Sequence, residues 1–284
     1  MRGLGRSANG RRGRRRALIT GASSGLGAAF AEALARRGFD LVIVARRRER
    51  LEALADELRD RYEIAVQVLT ADLTQATDLQ AVESHVASDA ALTILVNNAG
   101  FGTTGRFAEL EPDRDEAEVR LNVVALSRLT RAALPGMIAR GLGGIINVSS
   151  VSGLLPGPFH ATYGASKAFV NSFTEALHEE LRGTGVRVQA LCPGFTRTEF
   201  QERAGVASRN VPSFAWMSPE YVVEASLAAL RRGTLVCIPG PIYQLLAALI
   251  AVLPRSLVRR LHGFASRRAL NQTSERISTR SHGV

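Results

Sequence analysis

The sequence almost lacks lysine. It has 284 residues and 36 Lys or Arg side chains, and Lys167 is the only lysine among them. Arginine cannot replace lysine where a compact, rotatable point charge must lie beside a titrating partner. Lys167 follows Tyr163 by four residues, so a helix here would place both side chains on one face. A nearby positive charge lowers the pKa of a tyrosine, as in a general acid that works near neutral pH. The alternative is an ordinary surface lysine on a solvated helix.

Cysteine, histidine and long apolar runs are also sparse, and each absence excludes a class of protein. The two cysteines, Cys192 and Cys237, lie in apolar runs without redox or metal-ligand spacing, and the five histidines are scattered. We therefore expect buried thiols and no metal site. The apolar run at 242–253 is too short to span a bilayer. No apolar stretch of signal-peptide length lies near residue 1, which predicts a cytoplasmic protein.

The positive charge is concentrated at the two ends. Residues 1–16 hold seven arginines and no acidic residue, whereas 241–284 hold seven arginines and one glutamate, so the net charge of +10 belongs to the ends. We expect residues 1–15 to be a disordered basic tail and no nucleic acid to bind there. Residues 241–284 are expected to form an amphipathic helical extension with a disordered end. It would either fold over the core or lie on a membrane surface.

Between the ends, short apolar β-rich runs alternate with amphipathic stretches. This pattern predicts one domain over 16–240, an α/β doubly wound Rossmann fold with a seven-stranded parallel sheet and helices on both faces. The expected strands are 17–20, 41–45, 65–70, 93–96, 144–148, 187–191 and 234–238. The expected helices are 25–37, 48–60, 75–88, 114–140, 162–182 and 219–231.

A glycine-rich turn follows the first strand and opens a helix. The run Thr20-Gly21-Ala22-Ser23-Ser24-Gly25-Leu26-Gly27 has the spacing Gly-x-x-x-Gly-x-Gly. Glycines let a backbone approach a pyrophosphate closely, and the helix N-terminus attracts the phosphates. Together with Tyr163 and Lys167, this spacing resembles the compact branch of the short-chain dehydrogenase/reductase family over about residues 15–240.

Further motifs occur in the order that this family uses. They are Asn97-Asn98-Ala99-Gly100, Leu121-Asn122-Val123, Ser149-Ser150 and Pro193-Gly194. The resemblance implies an NADP(H)-binding set. Its members are Gly21, Ser23, Ser24, Gly25, Leu26, Gly27, Arg46, Asp72, Leu73, Asn98, Ala99, Gly100, Tyr163, Lys167, Pro193, Gly194, Thr196 and Thr198.

The end of the second strand bears on the choice of cofactor. NAD-dependent enzymes place an acidic residue here to bond the ribose hydroxyls, whereas this strand runs into Arg46, Arg47 and Arg48. Arg46 is placed to meet a 2′-phosphate, which predicts NADPH over NADH. Arg47 and Arg48 are better explained as the solvated start of the next helix. Asp72 matches the family position that reaches the adenine, and it would equally cap the following helix.

The resemblance also implies a reductase mechanism. Tyr163 would donate a proton to a substrate carbonyl oxygen, Lys167 would depress the pKa of Tyr163 and bond the nicotinamide ribose, and Ser150 would hydrogen-bond the carbonyl. Asn122 would hold a water that replenishes the proton, or would be a buried polar residue at a helix kink. Ordinary loop capping is the alternative for Ser149 and Ser150.

Apolar residues near the expected cleft predict a hydrophobic ketone or 3-oxoacyl substrate. They are Phe101, Leu154, Leu155, Phe159, Phe195, Phe200, Phe214, Trp216 and Met217. A reductase of small polar ketones or sugars, or a regulator that binds NADP(H) without turnover, are the rival interpretations. Family members commonly pair through their two long helices, so a homodimer or homotetramer is expected.

Overall fold

Seven parallel strands form the centre of the protein. The computed structural model describes residues 15–200, 204, 211–254, 256–260 and 263. The strand order β3-β2-β1-β4-β5-β6-β7 reverses direction between β1 and β4, which creates a crevice at the carboxyl ends of the strands. The strands are β1 Arg16–Thr20, β2 Asp40–Ala45, β3 Val66–Thr70, β4 Leu92–Asn97, β5 Gly143–Val148, β6 Val186–Leu191 and β7 Val236–Cys237.

Helices connect the strands and confirm the doubly wound arrangement. They are α1 Gly25–Ala35, α2 Arg48–Tyr62, α3 Ala76–Ser88, α4 Pro112–Val119, α5 Leu126–Arg140, α6 Ala161–Glu180, α7 Pro219–Arg232 and α8 Pro241–Val252. Two sequence predictions were wrong in detail. The single helix expected over 114–140 is divided by a π-helical turn at Arg120–Ala125. The last strand, expected over 234–238, is limited to Val236–Cys237, which pair with Ala190 and Leu191 of β6.

The core lies in two layers, one on each face of the sheet. Phe30 and Leu34 of α1, with Leu51 of α2, pack on one face. Leu129 and Met137 of α5 pack on the other. Since both faces are covered, the strands are apolar along nearly their whole length.

One buried polar network crosses the second layer and fixes the strand ends that carry the site. Asn97 Nδ2 at the end of β4 donates to Thr130 Oγ1 and to Asn147 Oδ1, both at 2.9 Å. Asn147 Nδ2 in turn donates to Thr174 Oγ1 at 3.0 Å. The network ties β4 and β5 to α5 and α6 at the depth where the crevice opens.

The extension beyond residue 240 begins as a helix anchored by one tyrosine. Tyr243 is buried, and its hydroxyl donates to the Ala215 carbonyl at 2.6 Å and accepts from the Phe195 N–H at 3.0 Å. Residues 256–260 are helical. Within the described part of the chain, every helix is too short or too polar to cross a membrane. Of the tail expected at 1–15, residues 1–14 lie outside the described residues, as does the end of the extension from residue 264 onward.

Candidate active site

The glycine turn between β1 and α1 is held by side chains from the two strand ends. Thr20 Oγ1 accepts from the N–H groups of Asn98 at 3.0 Å and Ala99 at 2.9 Å. Asn98 Nδ2 donates to the Thr20 carbonyl at 2.8 Å. Gly21 adopts φ +68°, and a Cβ there would lie 2.8 Å from Asn98 Nδ2, so only glycine fits. The turn therefore leaves its backbone open toward the crevice.

Gly27 has a packing role. A Cβ on Gly27 would lie 2.2 Å from the Gly21 carbonyl oxygen, so this glycine lets α1 press against the turn. It does not line the cleft, unlike the other glycines of the motif.

A cleft of about 590 Å³ opens at the carboxyl ends of the strands. Its surface contains every predicted cofactor residue except Gly27, together with Ser150. These residues are Gly21, Ser23, Ser24, Gly25, Leu26, Arg46, Asp72, Leu73, Asn98, Ala99, Gly100, Tyr163, Lys167, Pro193, Gly194, Thr196 and Thr198. Sequence positions far apart along the chain thus meet around one elongated cavity.

Arg46 lies at the rim of the cleft. Its side chain is 69% exposed, and its Nη1 is 3.7 Å from Asp72 Oδ2. Asp72 Oδ1 accepts from the Thr74 N–H at 3.0 Å and from Thr74 Oγ1 at 2.8 Å. Asp72 therefore stabilises its own loop and also lines the cleft, but it does not cap α3, whose N-cap is Gln75.

Arg47 is the main residue that the sequence interpretation misassigned. It is not a solvated helix start, because its guanidinium donates to Ser23 Oγ at 2.9 Å and to Ser24 Oγ at 2.8 Å across the glycine turn. Arg47 Nη1 also donates to Glu199 Oε2 at 3.1 Å. Arg47 is the N-cap of α2 and lines the cleft.

Tyr163 and Lys167 lie on one face of α6, as the spacing predicted. Lys167 Nζ is 5.7 Å from the centroid of the Tyr163 ring and donates to the Val148 carbonyl at 2.8 Å. Lys167 is buried, whereas Tyr163 is partly exposed to the cleft. Ser150, at the end of β5, hydrogen-bonds Tyr163 and accepts at Oγ from the Ser152 N–H at 3.1 Å. Ser150 thus caps its loop and also faces the tyrosine.

Burial is the largest influence on the pKa values of Tyr163 and Lys167. It raises the pKa of Tyr163 to about 12, although the hydrogen bond with Ser150 acts in the opposite direction. Burial also lowers the pKa of Lys167 to about 8, against the negative charge of Glu118. The expected lowering of the Tyr163 pKa by Lys167 is therefore not found: burial raises this pKa and outweighs the hydrogen bond with Ser150. At neutral pH the tyrosine holds its proton and Lys167 is mostly charged.

Asn122 lies behind the cleft, in the π turn. Its Nδ2 donates to the Phe101 carbonyl at 2.9 Å and to Ser166 Oγ at 3.1 Å, and its Oδ1 accepts from the Phe101 N–H at 3.2 Å. It is therefore a buried polar residue at a helix irregularity. It ties the chain after β4 to α6 beside Lys167.

Three phenylalanines are among the residues that line the cleft. They are Phe101, Phe195 and Phe200, and the rings of Phe200 and Tyr163 lie 5.6 Å apart. His160, one of the scattered histidines, also lines the cleft. The other apolar candidates do not reach the cavity surface. They are Leu154, Leu155, Phe159, Phe214, Trp216 and Met217.

Comparison with known proteins agrees with this geometry. The family model "short chain dehydrogenase" matches residues 15–207. A very-long-chain 3-oxoacyl-CoA reductase of Anas platyrhynchos is 32% identical over 252 residues, which cover 86% of this chain and 78% of the relative.

Two solved structures are similar as well. A short-chain dehydrogenase from Sphingobium yanoikuyae in complex with NADPH is 41% identical with a TM-score of 0.77, over 84% of this chain and 96% of that one. A bulky-bulky ketone specific alcohol dehydrogenase from Comamonas testosteroni is 36% identical with a TM-score of 0.73, over 85% and 95%. With its glycine turn, its sheet order and its Ser150, Tyr163 and Lys167 side chains gathered at one cleft, the chain belongs to the short-chain dehydrogenase family.

Proposed function

We propose that the protein is an NADPH-dependent reductase that transfers a hydride to the carbonyl of a hydrophobic ketone or 3-oxoacyl substrate, with alcohol oxidation as the reverse reaction. One observation carries the proposal. Ser150, Tyr163 and Lys167 line the same cleft as a glycine turn and Arg46. A chain that only binds a nucleotide has no need of all three catalytic side chains.

The residues present fit NADP(H). The glycine turn leaves backbone N–H groups at the N-terminus of α1, where phosphates bind favourably. Arg46 at the rim suits a 2′-phosphate, while Arg47 holds Ser23 and Ser24 in place. When bound, NADPH supplies the hydride. The NADPH complex of the Sphingobium yanoikuyae protein supports this choice of cofactor.

The chemistry of the chain's own side chains follows from their protonation. Tyr163, which holds its proton at neutral pH, donates it to the carbonyl oxygen as negative charge develops there. Ser150 hydrogen-bonds the same oxygen. Lys167 provides positive charge beside the tyrosine and would bond the nicotinamide ribose of the bound cofactor. Asn122 supports the site by holding Phe101 and Ser166, and its part in ordering a relay water stays a prediction.

The hydrophobic substrate class rests on the cleft and on the relatives. Three phenylalanines line the cavity together with Tyr163: Phe101, Phe195 and Phe200. A 3-oxoacyl-CoA reductase and an enzyme specific for bulky-bulky ketones are both similar to this chain. An apolar cavity of this kind disfavours small polar ketones and sugars, since it leaves their hydroxyl groups unpaired.

Two associations belong to the proposal. The helix α8 exposes an apolar row, Ile242, Leu245, Leu246, Leu249 and Val252, and we assign it to contact with a membrane surface from the cytoplasmic side.

The helices α5 and α6 also expose apolar residues, among them Ile138 and Phe169, which supports a homodimer or homotetramer paired through them.

The decisive experiment is NADPH oxidation with ketones of graded chain length. We expect rates to rise with apolar chain length, and Tyr163→Phe to lower turnover by at least ~100-fold because the proton donor is lost. NADPH binding, measured separately by fluorescence, should survive. Lys167→Arg keeps the charge but changes its geometry, so it should also be severely impaired.

The matched control is Tyr221→Phe, which removes the hydroxyl of an exposed tyrosine on α7. It should leave turnover unchanged. A Tyr163→Phe enzyme with near wild-type rates would refute the catalytic assignment. Tight NADPH binding without turnover on any ketone would instead indicate a regulator.

A further inference from the structure

Glu118 is a carboxylate with no access to solvent. It lies on the inner face of α4, one helical turn before Asn122, and its exposed fraction is 0%. Acidic side chains are rarely buried so completely without compensating partners. One carboxylate oxygen, Oε2, accepts from the Thr103 N–H at 2.8 Å and from Thr103 Oγ1 at 2.7 Å. The other, Oε1, is buried and has no hydrogen-bond partner among the described residues.

Glu118 holds the segment 100–103, here called the wall, against which Tyr163 and Lys167 pack. A Cβ on Gly102 would lie 2.9 Å from Cδ2 of Tyr163, and a Cβ on Gly100 would lie 3.6 Å from Lys167 Nζ. Glu118 bonds Thr103, the next residue along this wall. Because the wall touches the ring of the proton donor directly, a shift of Thr103 would displace that ring.

Charge is the second contribution of Glu118. Burial raises the pKa of Glu118, while its hydrogen bonds with Thr103 and the positive charge of Lys167 act in the opposite direction. In its ionised form Glu118 raises the pKa of both Lys167 and Tyr163, although burial is the larger influence on each. The other acidic group that faces it is Asp115 on the same helix. Asp115 Oδ1 accepts from Thr103 Oγ1 at 3.4 Å, and its Oδ2 accepts from Thr162 Oγ1 at 2.6 Å.

We propose that Glu118 is a positioning residue for the Tyr163–Lys167 pair. Its carboxylate fixes the wall at Gly102 and Thr103, and its buried negative charge keeps Lys167 in the ammonium form beside the tyrosine. The consequence for catalysis rests on the reductase function proposed above. The effect of Glu118 on the pKa of Lys167 does not depend on that function and can be measured without turnover.

The single lysine makes that measurement direct. In protein labelled with ¹³C-lysine, the side-chain ε-carbon of Lys167 gives one resonance, so its titration by NMR needs no assignment. We expect a pKa of about 8 in the unchanged chain. Glu118→Gln keeps the shape and an acceptor for Thr103 but removes the charge, and should lower that pKa by roughly one unit. The pH at which the reduction rate declines on the alkaline side should fall by a similar amount.

Two further variants keep the test decisive. Glu116→Gln is the matched control, because Glu116 is an exposed residue of the same helix that pairs with Arg120, and it should leave the titration unchanged. Glu118→Met removes the charge with a side chain of similar volume, an exchange that buried ionic sites often tolerate. It gives the same readout if the glutamine variant fails to fold.

An unchanged Lys167 titration in the folded charge-removing variants would overturn the proposal. If the Lys167 pKa falls but the decline of the reduction rate at high pH stays at the same pH, Glu118 does not influence catalysis through Lys167. Failure of the reductase function itself is distinguishable, because the unchanged chain would then oxidise no NADPH while the lysine titration would still respond to Glu118.

Discussion

At the scale of single residues, the site combines two groups that burial drives toward their neutral forms. Tyr163 keeps its proton because a buried phenolate is costly, and Lys167 sheds its proton more easily than a solvated lysine. A reductase needs the tyrosine protonated and the lysine charged. Both conditions hold below the pKa of Lys167, so the lysine sets the upper limit of the working range.

The pH dependence follows with a definite sign. Lys167 has a pKa of about 8, so it is charged below that value and neutral above it. We expect kcat/KM for ketone reduction to decline as pH rises through this region. The reverse oxidation needs Tyr163 as a base, so it should increase with pH. Initial rates in both directions across about two pH units on either side test this. Reduction that accelerates with rising pH would contradict it.

Cofactor preference is the second prediction at this scale. Arg46→Asp places a carboxylate where NAD-dependent enzymes bond the ribose hydroxyls and removes the cation meant for the 2′-phosphate. We expect the kcat/KM ratio of NADPH to NADH to fall by at least ~10-fold. Arg48→Asp is the control, because Arg48 is exposed and pairs with Glu52 on α2. An unchanged preference in Arg46→Asp, or an equal change in both variants, would show that Arg46 does not select the cofactor.

The sequence predicted where some of these residues lie, because their positions depend on local geometry. Tyr163 and Lys167 share a helix face, and Ser150 ends a strand next to the one that ends in Asn97. Arg47 and Glu118 were not predicted, because their roles depend on packing between segments distant in the chain. Arg47 bonds Ser23 and Glu199, and Glu118 bonds Thr103. No spacing in the sequence records such contacts.

At the scale of elements, the difference between local geometry and long-range contacts also explains which helix and strand bounds the sequence predicted. Apolar periodicity predicted the strands and most helices, since burial on the sheet sets the period. It could not predict the π turn at Arg120–Ala125, because apolar periodicity continues on both sides of it. The turn faces Asn122 inward to Phe101 and Ser166. Tertiary hydrogen bonds thus accompany a break that periodicity does not show.

The helix α8 carries the prediction for this scale. Its exposed residues Leu245 and Leu249 lie one turn apart, and the exposed Arg259 and Arg260 follow in the next helical segment. We expect the full chain to co-sediment with vesicles that contain phosphatidylserine, since buried apolar area and attraction to anionic lipid act together. Leu245→Gln with Leu249→Gln should reduce the bound fraction several-fold.

A change of the same kind elsewhere on the surface is the control. Leu142→Gln alters an exposed leucine between α5 and β5, and it should leave vesicle binding unchanged. If the α8 variant binds vesicles as well as the unchanged chain does, the membrane assignment is wrong. If the chain instead self-associates through α8 without lipid, in a concentration-dependent way, the exposed row of α8 contacts a second copy of the chain.

At the scale of the whole molecule, the proposed homodimer or homotetramer would cover the outer faces of α5 and α6. The outer face of α6 combines small residues, Ala165, Ala168 and Ser172, with Phe169, whose ring stacks on Phe173 at 5.6 Å. Small side chains allow close approach of a partner helix, and an exposed aromatic is a common interface anchor. Since α5 exposes Ile138 as well, pairing would bury apolar area that water now contacts.

We therefore expect Phe169→Glu to convert the assembly to monomers, because a charge in a paired apolar interface is left without a partner. Sedimentation velocity at matched concentrations measures the change, and a stable pair should bury about 800 Å² on each copy. Phe107→Glu, at an exposed phenylalanine outside both helices, is the control. The cleft of each copy opens at the strand ends, so NADPH binding should survive in the monomer. An assembly that withstands Phe169→Glu would mean that the copies meet elsewhere, with the exposed row of α8 as the next surface to change.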